Sequence, residues 1–191
     1  MTQSVSFHFS SSQFGFESGR ILFTKGARLS SDGEMTFGEM REGAIGGVLV
    51  EGPIEFDAVL FGLTVARRDD NRRYEVPFLP VTGAIRPQEI SDGRVAVELD
   101  IAVVVVVRVE DASGTTVARA MVSCSIPSTS ATFNGQVNER GEVALLGTPG
   151  RFSFHLVSVA DRVFISERIH ADLEVTPNDR GERHIVLRAP A

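Results

Sequence analysis

An all-β protein, mainly antiparallel and folded as a β-sandwich, is expected from three features of the 191-residue sequence: apolar-polar alternation with period two, Gly/Asn/Asp turn chemistry between the alternating stretches, and an uncharged run of valines. No long amphipathic helix competes with these patterns. The first strand is carried by Val5, Phe7 and Phe9 against Ser4, Ser6, His8 and Ser10. Further extended segments are expected at roughly 20–29, 34–40, 44–50, 54–67, 73–81, 94–109, 116–126, 131–138, 142–146, 162–169, 170–176 and 183–189. Between residues 146 and 162, Phe152, Phe154 and Leu156 alternate with Arg151, Ser153 and His155. Reversals are expected at Ser31-Asp32-Gly33, Ser91-Asp92-Gly93, Asn134-Gly135, Arg140-Gly141, Thr148-Pro149-Gly150 and Asn178-Asp179-Arg180-Gly181, which supply residues tolerant of positive φ.

The block Ile101-Ala102-Val103-Val104-Val105-Val106-Val107 is too short for the roughly 20 residues of a membrane helix. Branching at Cβ favours extended backbone, and a continuous apolar run implies burial on both faces, so this is read as a central sandwich strand. Asp100, Arg108, Glu110 and Asp111 flank it as charged guards against aggregation. The segment from Pro77 to Pro87, with Pro80 and Gly83, cannot be a central strand throughout, because each Pro removes a ladder donor. A division near residues 85–93 follows, giving an N-terminal β-rich region at 1–90 and a sandwich at 91–191, or one continuous unit. The Ser-Asp-Gly triplets at 31 and 91 are read as common turn chemistry, not as a repeat.

The residues Val107-Arg108-Val109-Glu110-Asp111-Ala112-Ser113-Gly114-Thr115-Thr116-Val117-Ala118-Arg119-Ala120-Met121-Val122 form a strand, an Asp-x-x-Gly turn and a second strand. Further on, Thr132-Phe133-Asn134-Gly135, Arg140-Gly141 and Pro149-Gly150-Arg151-Phe152 follow in order. This succession resembles the carboxypeptidase-regulatory-like, or transthyretin-like, β-sandwich over about residues 95–176; immunoglobulin-like domains share its hairpin geometry. The resemblance implies an accessory, non-catalytic sandwich for the C-terminal half, and a fold does not by itself assign a function. An iron site like that of the intradiol dioxygenases needs two Tyr, and this chain has Tyr74 alone. The Tyr-Arg-Gly-Ser ending of the hydroxyisourate hydrolases is missing from Arg188-Ala189-Pro190-Ala191.

The formal net charge of −6 argues against a nucleic-acid or anionic-membrane partner. The cluster Arg67-Arg68-Asp69-Asp70-Asn71-Arg72-Arg73 is read as a solvated hairpin tip. An amino end without a basic segment and apolar block, together with the single cysteine Cys124, suggests a cytoplasmic protein. Cys124 has no adjacent His, Lys or Arg to activate its thiol and is expected to pack as a small apolar residue. Phosphate-loop, nucleophile-elbow and EF-hand patterns are absent from the sequence, and the acidic groups Asp69-Asp70, Glu110-Asp111 and Asp172-x-Glu174 are read as surface solvation. Gly43-Ala44-Ile45-Gly46-Gly47 is read as a bend or bulge. Most of the 13 Phe rings are assigned to the core.

These readings point away from an enzyme. They describe a β-sandwich protein-interaction or assembly module, binding a protein partner or self-associating as a homo-oligomer, with no cofactor, no metal, no nucleic acid and no membrane. The apolar stretch 44–65 offers its interface candidates, Ile45, Val48, Val50 and Phe61. One alternative is a small-molecule-binding protein or hydrolase with a pocket between the two β regions, for which His155 and His170 are the catalytic candidates and Arg151 a neighbour. Another is a structural component of a virion or other large particle.

Overall fold

The computed structural model describes residues 2–29, 37–51, 54–85, 90–125, 132–160, 162–164 and 169–190. Among these the chain forms the expected all-β, mainly antiparallel sandwich architecture. None of them is helical, so no helix is long and apolar enough to cross a membrane. The chain divides into two compact units, Met1–Asp100 and Ile101–Ala191.

The first unit contains β1 (Thr2–Ser10), β2 (Phe14–Lys25), β3 (Ala27–Leu29), β4 (Gly38–Arg41), β5 (Ala44–Glu51), β6 (Ile54–Arg67), β7 (Arg73–Ile85), β8 (Ile90–Ser91) and β9 (Arg94–Glu98). They join in the order β7-β6-β2-β4-β5-β1-β9-β8, with β3 beside β5. This sheet curls over on itself. Phe7 of β1 therefore meets Phe23 of β2 and Phe56 of β6 at centroid distances of 5.1 and 5.3 Å. Alternation explains which rings go inside: Val5, Phe7 and Phe9 are buried while Ser4 and Ser10 are exposed. Pro77 and Pro80 lie on β7, which ends the sheet and has a ladder on one side only, the place in a sheet where proline is accommodated. Strands β8 and β9 hydrogen-bond within this unit, so its compact body runs past residue 90 to Asp100.

The second unit contains β10 (Val103–Glu110), β11 (Ala120–Ser125), β12 (Thr132–Gln136), β13 (Glu142–Gly147), β14 (Gly150–Val159), β15 (Arg162–Val163), β16 (His170–Val175) and β17 (Glu182–Arg188). One sheet runs β13-β10-β17; the other runs β12-β11-β14-β15, with β16 also on β14. The valine run lies at the centre of the three-stranded sheet, with Val103 to Val107 all buried. The stretch expected as one strand at 94–109 is two strands, β9 and β10, divided where one unit ends and the next begins.

The turn chemistry is observed in most places. Asp92-Gly93 has φ of 50° and 71°, the positive pair a two-residue hairpin turn needs, and Glu42-Gly43 repeats this with 50° and 75°. The Asp111 carboxylate accepts N–H bonds from Ser113 and Thr115 at 2.8 and 2.9 Å and so closes the Asp-x-x-Gly turn. Asn134-Gly135 is a correction: it lies inside β12, where a Cβ on residue 135 would come within 2.3 Å of the Phe133 ring. That glycine makes room for an aromatic side chain instead of reversing the chain. Ser31-Asp32-Gly33 lies outside the described residues, as does most of the expected strand end at 165–168.

The two units repeat one topology. In each, the first strand lies between an antiparallel and a parallel neighbour: β5-β1-β9 in the first, β13-β10-β17 in the second. In each, the remaining main strands follow the same order, β4-β2-β6-β7 and β12-β11-β14-β16. A difference lies between β4 and β5, whose tight turn pairs Arg41 with Ala44 and keeps the first unit's path of hydrogen bonds unbroken.

The arginine-rich 67–73 segment is a hairpin tip between β6 and β7, and its cations are matched. Arg67 binds the Asp70 carboxylate through both Nε and Nη2, Arg73 donates to Glu17 at 3.0 Å, and Arg72 lies over the Tyr74 ring. The Arg67 side-chain bond, followed by the Arg72 backbone N–H, holds the Asp70 carboxyl down at about 2, below the ordinary 3.8. Because the folded value is depressed, the stabilisation is complete above pH 3.8 and disappears as pH falls toward 2. Asp70→Asn is expected to melt lower than the parent at pH 7, with the gap closing by pH 2; a gap independent of pH in thermal melts would contradict this.

Candidate functional site

Two surfaces gather the residues singled out in the sequence. On β14 the core rings Phe152 and Phe154 and Leu156 point inward, so Arg151, Ser153 and His155 line the outer face of the five-stranded sheet. Strand β16 alternates in the same way, with His170, Asp172 and Glu174 outward. Antiparallel register places His155 opposite His170 and Ser153 opposite Asp172. The two imidazoles lie 6.0 Å apart between centroids, inclined by 31°. Asp172 accepts 2.6 Å bonds from Ser153 Oγ and from Arg151 Nη2. Those two donors, Ser153 first, lower the Asp172 carboxyl below its ordinary value, and the carboxylate in turn raises Arg151.

The other two histidines are elsewhere. His8 shares a 3.1 Å hydrogen bond with Ser6 Oγ on β1, and His184 lies 2.7 Å from Glu182 on β17. A hydrolytic triad needs an imidazole between the hydroxyl and the carboxylate. Here Ser153 donates directly to Asp172, so that order is broken.

The second surface is the outer face of β4-β2-β6-β7. Register sets Glu39, Arg20, Phe61 and Phe78 in one row across the four strands. Phe61 packs edge to face with Phe37 and with Phe78, both at 5.7 Å. Phe37 is 55% exposed, and Leu22, Val59 and Pro80 continue the patch as half-buried neighbours. A notch of about 430 Å³ opens beside Phe61, walled by Ser18, Arg20, Glu39 and Arg41. It sits where the β2–β6 register slips around Gly62, whose φ of 52° marks an irregular residue.

Of the interface candidates, Ile45, Val48 and Val50 are buried inside the first unit, whereas Phe61 stands at the centre of this outer patch. The sequence assigns most of the 13 Phe rings to the core without saying which, so it does not single out the neighbours Phe37 and Phe78. On β6 and β7 the alternation breaks phase, with buried Leu60 and Leu63 three apart and Val76 and Leu79 three apart, and Phe61 and Phe78 lie beside these breaks on the outer face.

Among the described residues no group of three or more His, Cys, Asp and Glu side chains is arranged to hold a metal. Cys124 is buried on β11, and burial pushes its thiol up to about 12. A thiol held protonated is a poor nucleophile. Folded protein is expected to leave Cys124 unlabelled by a thiol-disulfide reagent at pH 8, with one thiol titrating in denaturant; prompt labelling of the native chain would contradict the assignment.

No family model matches this chain, and no curated protein matches it in sequence. Among solved structures it is similar to the Bacillus anthracis TIE protein, with 13% identity and a TM-score of 0.37, over 98% of this chain and 40% of that one. BcpA, the major pilin subunit of Bacillus cereus, is similar at 6% identity and a TM-score of 0.36, over 98% of this chain and 70% of that one. A C-terminal fragment of the pilus adhesin SpaC from Lactobacillus rhamnosus GG is similar at 10% identity and a TM-score of 0.36, over 97% and 96% of the two chains. The chain thus spans less than half of the first of these proteins. At such scores these likenesses assign no activity or partner here. They correct one expectation: the matched structures include pilin subunits and pilus adhesins, and the cytoplasmic location read from the sequence is withdrawn. No family model matches, those of transthyretin-like and carboxypeptidase-regulatory-like domains included, so what stands of that resemblance is the β-sandwich itself.

Proposed function

We propose that this chain is a non-catalytic interaction module that docks a protein partner, in the first instance a second copy of itself, through the outer sheet face of its first unit. The observation that carries the reading is the aromatic ladder Phe37-Phe61-Phe78 on the outer face, with Phe37 exposed and the other two rings half-buried, beside a notch with a charged rim. Contiguous exposed apolar surface is a mark of interaction sites, and aromatic side chains are enriched in the buried centres of interfaces. A rim carrying Arg20 and Arg41 as well as Glu39 suits an isologous contact, because a two-fold axis brings each sign opposite the other.

Light scattering coupled to size exclusion tests this on the full chain. The parent is expected to rise above its 20.7 kDa monomer mass with concentration, and Phe37→Ser/Phe61→Ser to remain monomeric at every concentration. A parent that stays monomeric throughout, or a variant that associates equally well, would remove the self-docking reading.

A further inference from the structure

We infer that His155 and His170 form a two-imidazole site for an exchangeable divalent transition-metal ion of the Zn²⁺, Ni²⁺ and Cu²⁺ class. This rests on the second unit alone and is independent of the aromatic face. The backbone bond from Leu156 N to the Ile169 carbonyl, 3.1 Å, makes residues 156 and 169 the hydrogen-bonded pair. His155 and His170, the adjacent pair, therefore occupy the alternate position of the antiparallel ladder, where facing side chains approach most closely.

Alternation sends both rings to the same outer face. His170 is exposed, so its ring turns with little obstruction, while the half-buried His155 is the more fixed partner. Two imidazole nitrogens each about 2.0–2.1 Å from one tetrahedral ion are roughly 3.3 Å apart. Rings with centroids 6.0 Å apart and inclined by 31° reach that separation by small side-chain rotations, without movement of the strands. Imidazole suits these borderline ions, and Cu²⁺ is expected to bind most tightly of the three.

Asp172 occupies the next outward position on β16 and interacts electrostatically with His170. Its oxygens are engaged by Ser153 and Arg151, so it serves as a neighbouring charge and not as a third ligand. Two protein donors leave the remaining coordination positions to water or to donors from a partner. Such a site loads and unloads, in contrast to the closed four-ligand sites of structural zinc.

The test is calorimetric titration of the full chain with each metal chloride. About one equivalent is expected, with affinity reduced at least tenfold by His155→Gln or by His170→Gln and unchanged by His8→Gln/His184→Gln. Electron paramagnetic resonance of the Cu²⁺-loaded parent gives an independent reading that needs no variant to fold: coupling to two equatorial nitrogens is expected. No binding by the parent, single variants that bind as tightly as the parent, or a Cu²⁺ spectrum without two nitrogens would overturn the site.

Discussion

Phe7→Ala is expected to cost about 3–5 kcal/mol, the range for truncating a fully buried aromatic ring. Phe7 has no exposed surface and touches three other rings, Phe9 on its own strand and Phe23 and Phe56 on the strands that fold over it. Its ring thus closes the curl of the first unit, and alanine leaves a cavity bounded by side chains that belong to separate stretches of the sheet. Edge-to-face pairs such as Phe7–Phe23 and Phe7–Phe56 contribute roughly 0.5–1.5 kcal/mol each beyond their buried area. Urea unfolding followed by circular dichroism reads the loss directly. A change below about 1 kcal/mol, the level of an ordinary substitution, would mean that Phe7 is not the keystone of this core.

Gly43→Ala is expected to destabilise the first unit by about 1–3 kcal/mol, the cost of forcing a side chain into a sparsely populated backbone region, or by more if the strand must also move. Gly43 has φ of 75°, and an added Cβ would come within 2.5 Å of the Phe9 carbonyl oxygen, a backbone atom that cannot swing aside. The same glycine's own carbonyl accepts the Phe9 N–H at 2.8 Å, so displacing the turn also weakens its tie to β1. Gly46, three residues on, has no atom within 4 Å of its hypothetical Cβ. Gly46→Ala is therefore expected to stay within about 0.5 kcal/mol. Equal effects at the two positions in the same unfolding assay would refute the steric argument.

That contrast shows what was legible in the sequence. The glycine-rich 43–47 run reads as a bend, but nothing local says which glycine has a carbonyl pressed against it. Strands were legible wherever one face is buried, since Val5-Phe7-Phe9 and Phe152-Phe154-Leu156 announce themselves by period two. The 54–67 strand is recovered with its predicted ends. Asn134-Gly135 misled because a glycine that clears space for Phe133 looks, in one dimension, like a glycine that turns the chain.

The repeated topology left no such trace. It is defined by pairings such as Phe7 with Val95 and Val107 with Ile185, each spanning nearly a whole unit, and parallel neighbours have no turn between them to signal their register. The candidate sites were partly legible for the same reason. Outward placement of His155 follows from alternation, but its meeting with His170 depends on the β14–β16 register, set across an intervening stretch. Phe61 could be named, while its partner Phe78 was hidden by the phase slip near Gly62 and Pro77.

The parallel partnership of first and last strands bears on how each unit responds to tension. Ser6–Ser10 lies beside Arg94–Glu98 in the first unit, and Val104–Glu110 beside Glu182–Arg188 in the second. A pull on the chain draws the start of one strand backward and the end of its neighbour forward. The ladder between them is then loaded in shear, with its hydrogen bonds stretched together instead of parting one after another. Forced unfolding is governed by the rate of that rupture. With seven paired positions against five, the second unit is expected to hold to the higher force when single molecules are stretched, so that the first unit yields before it.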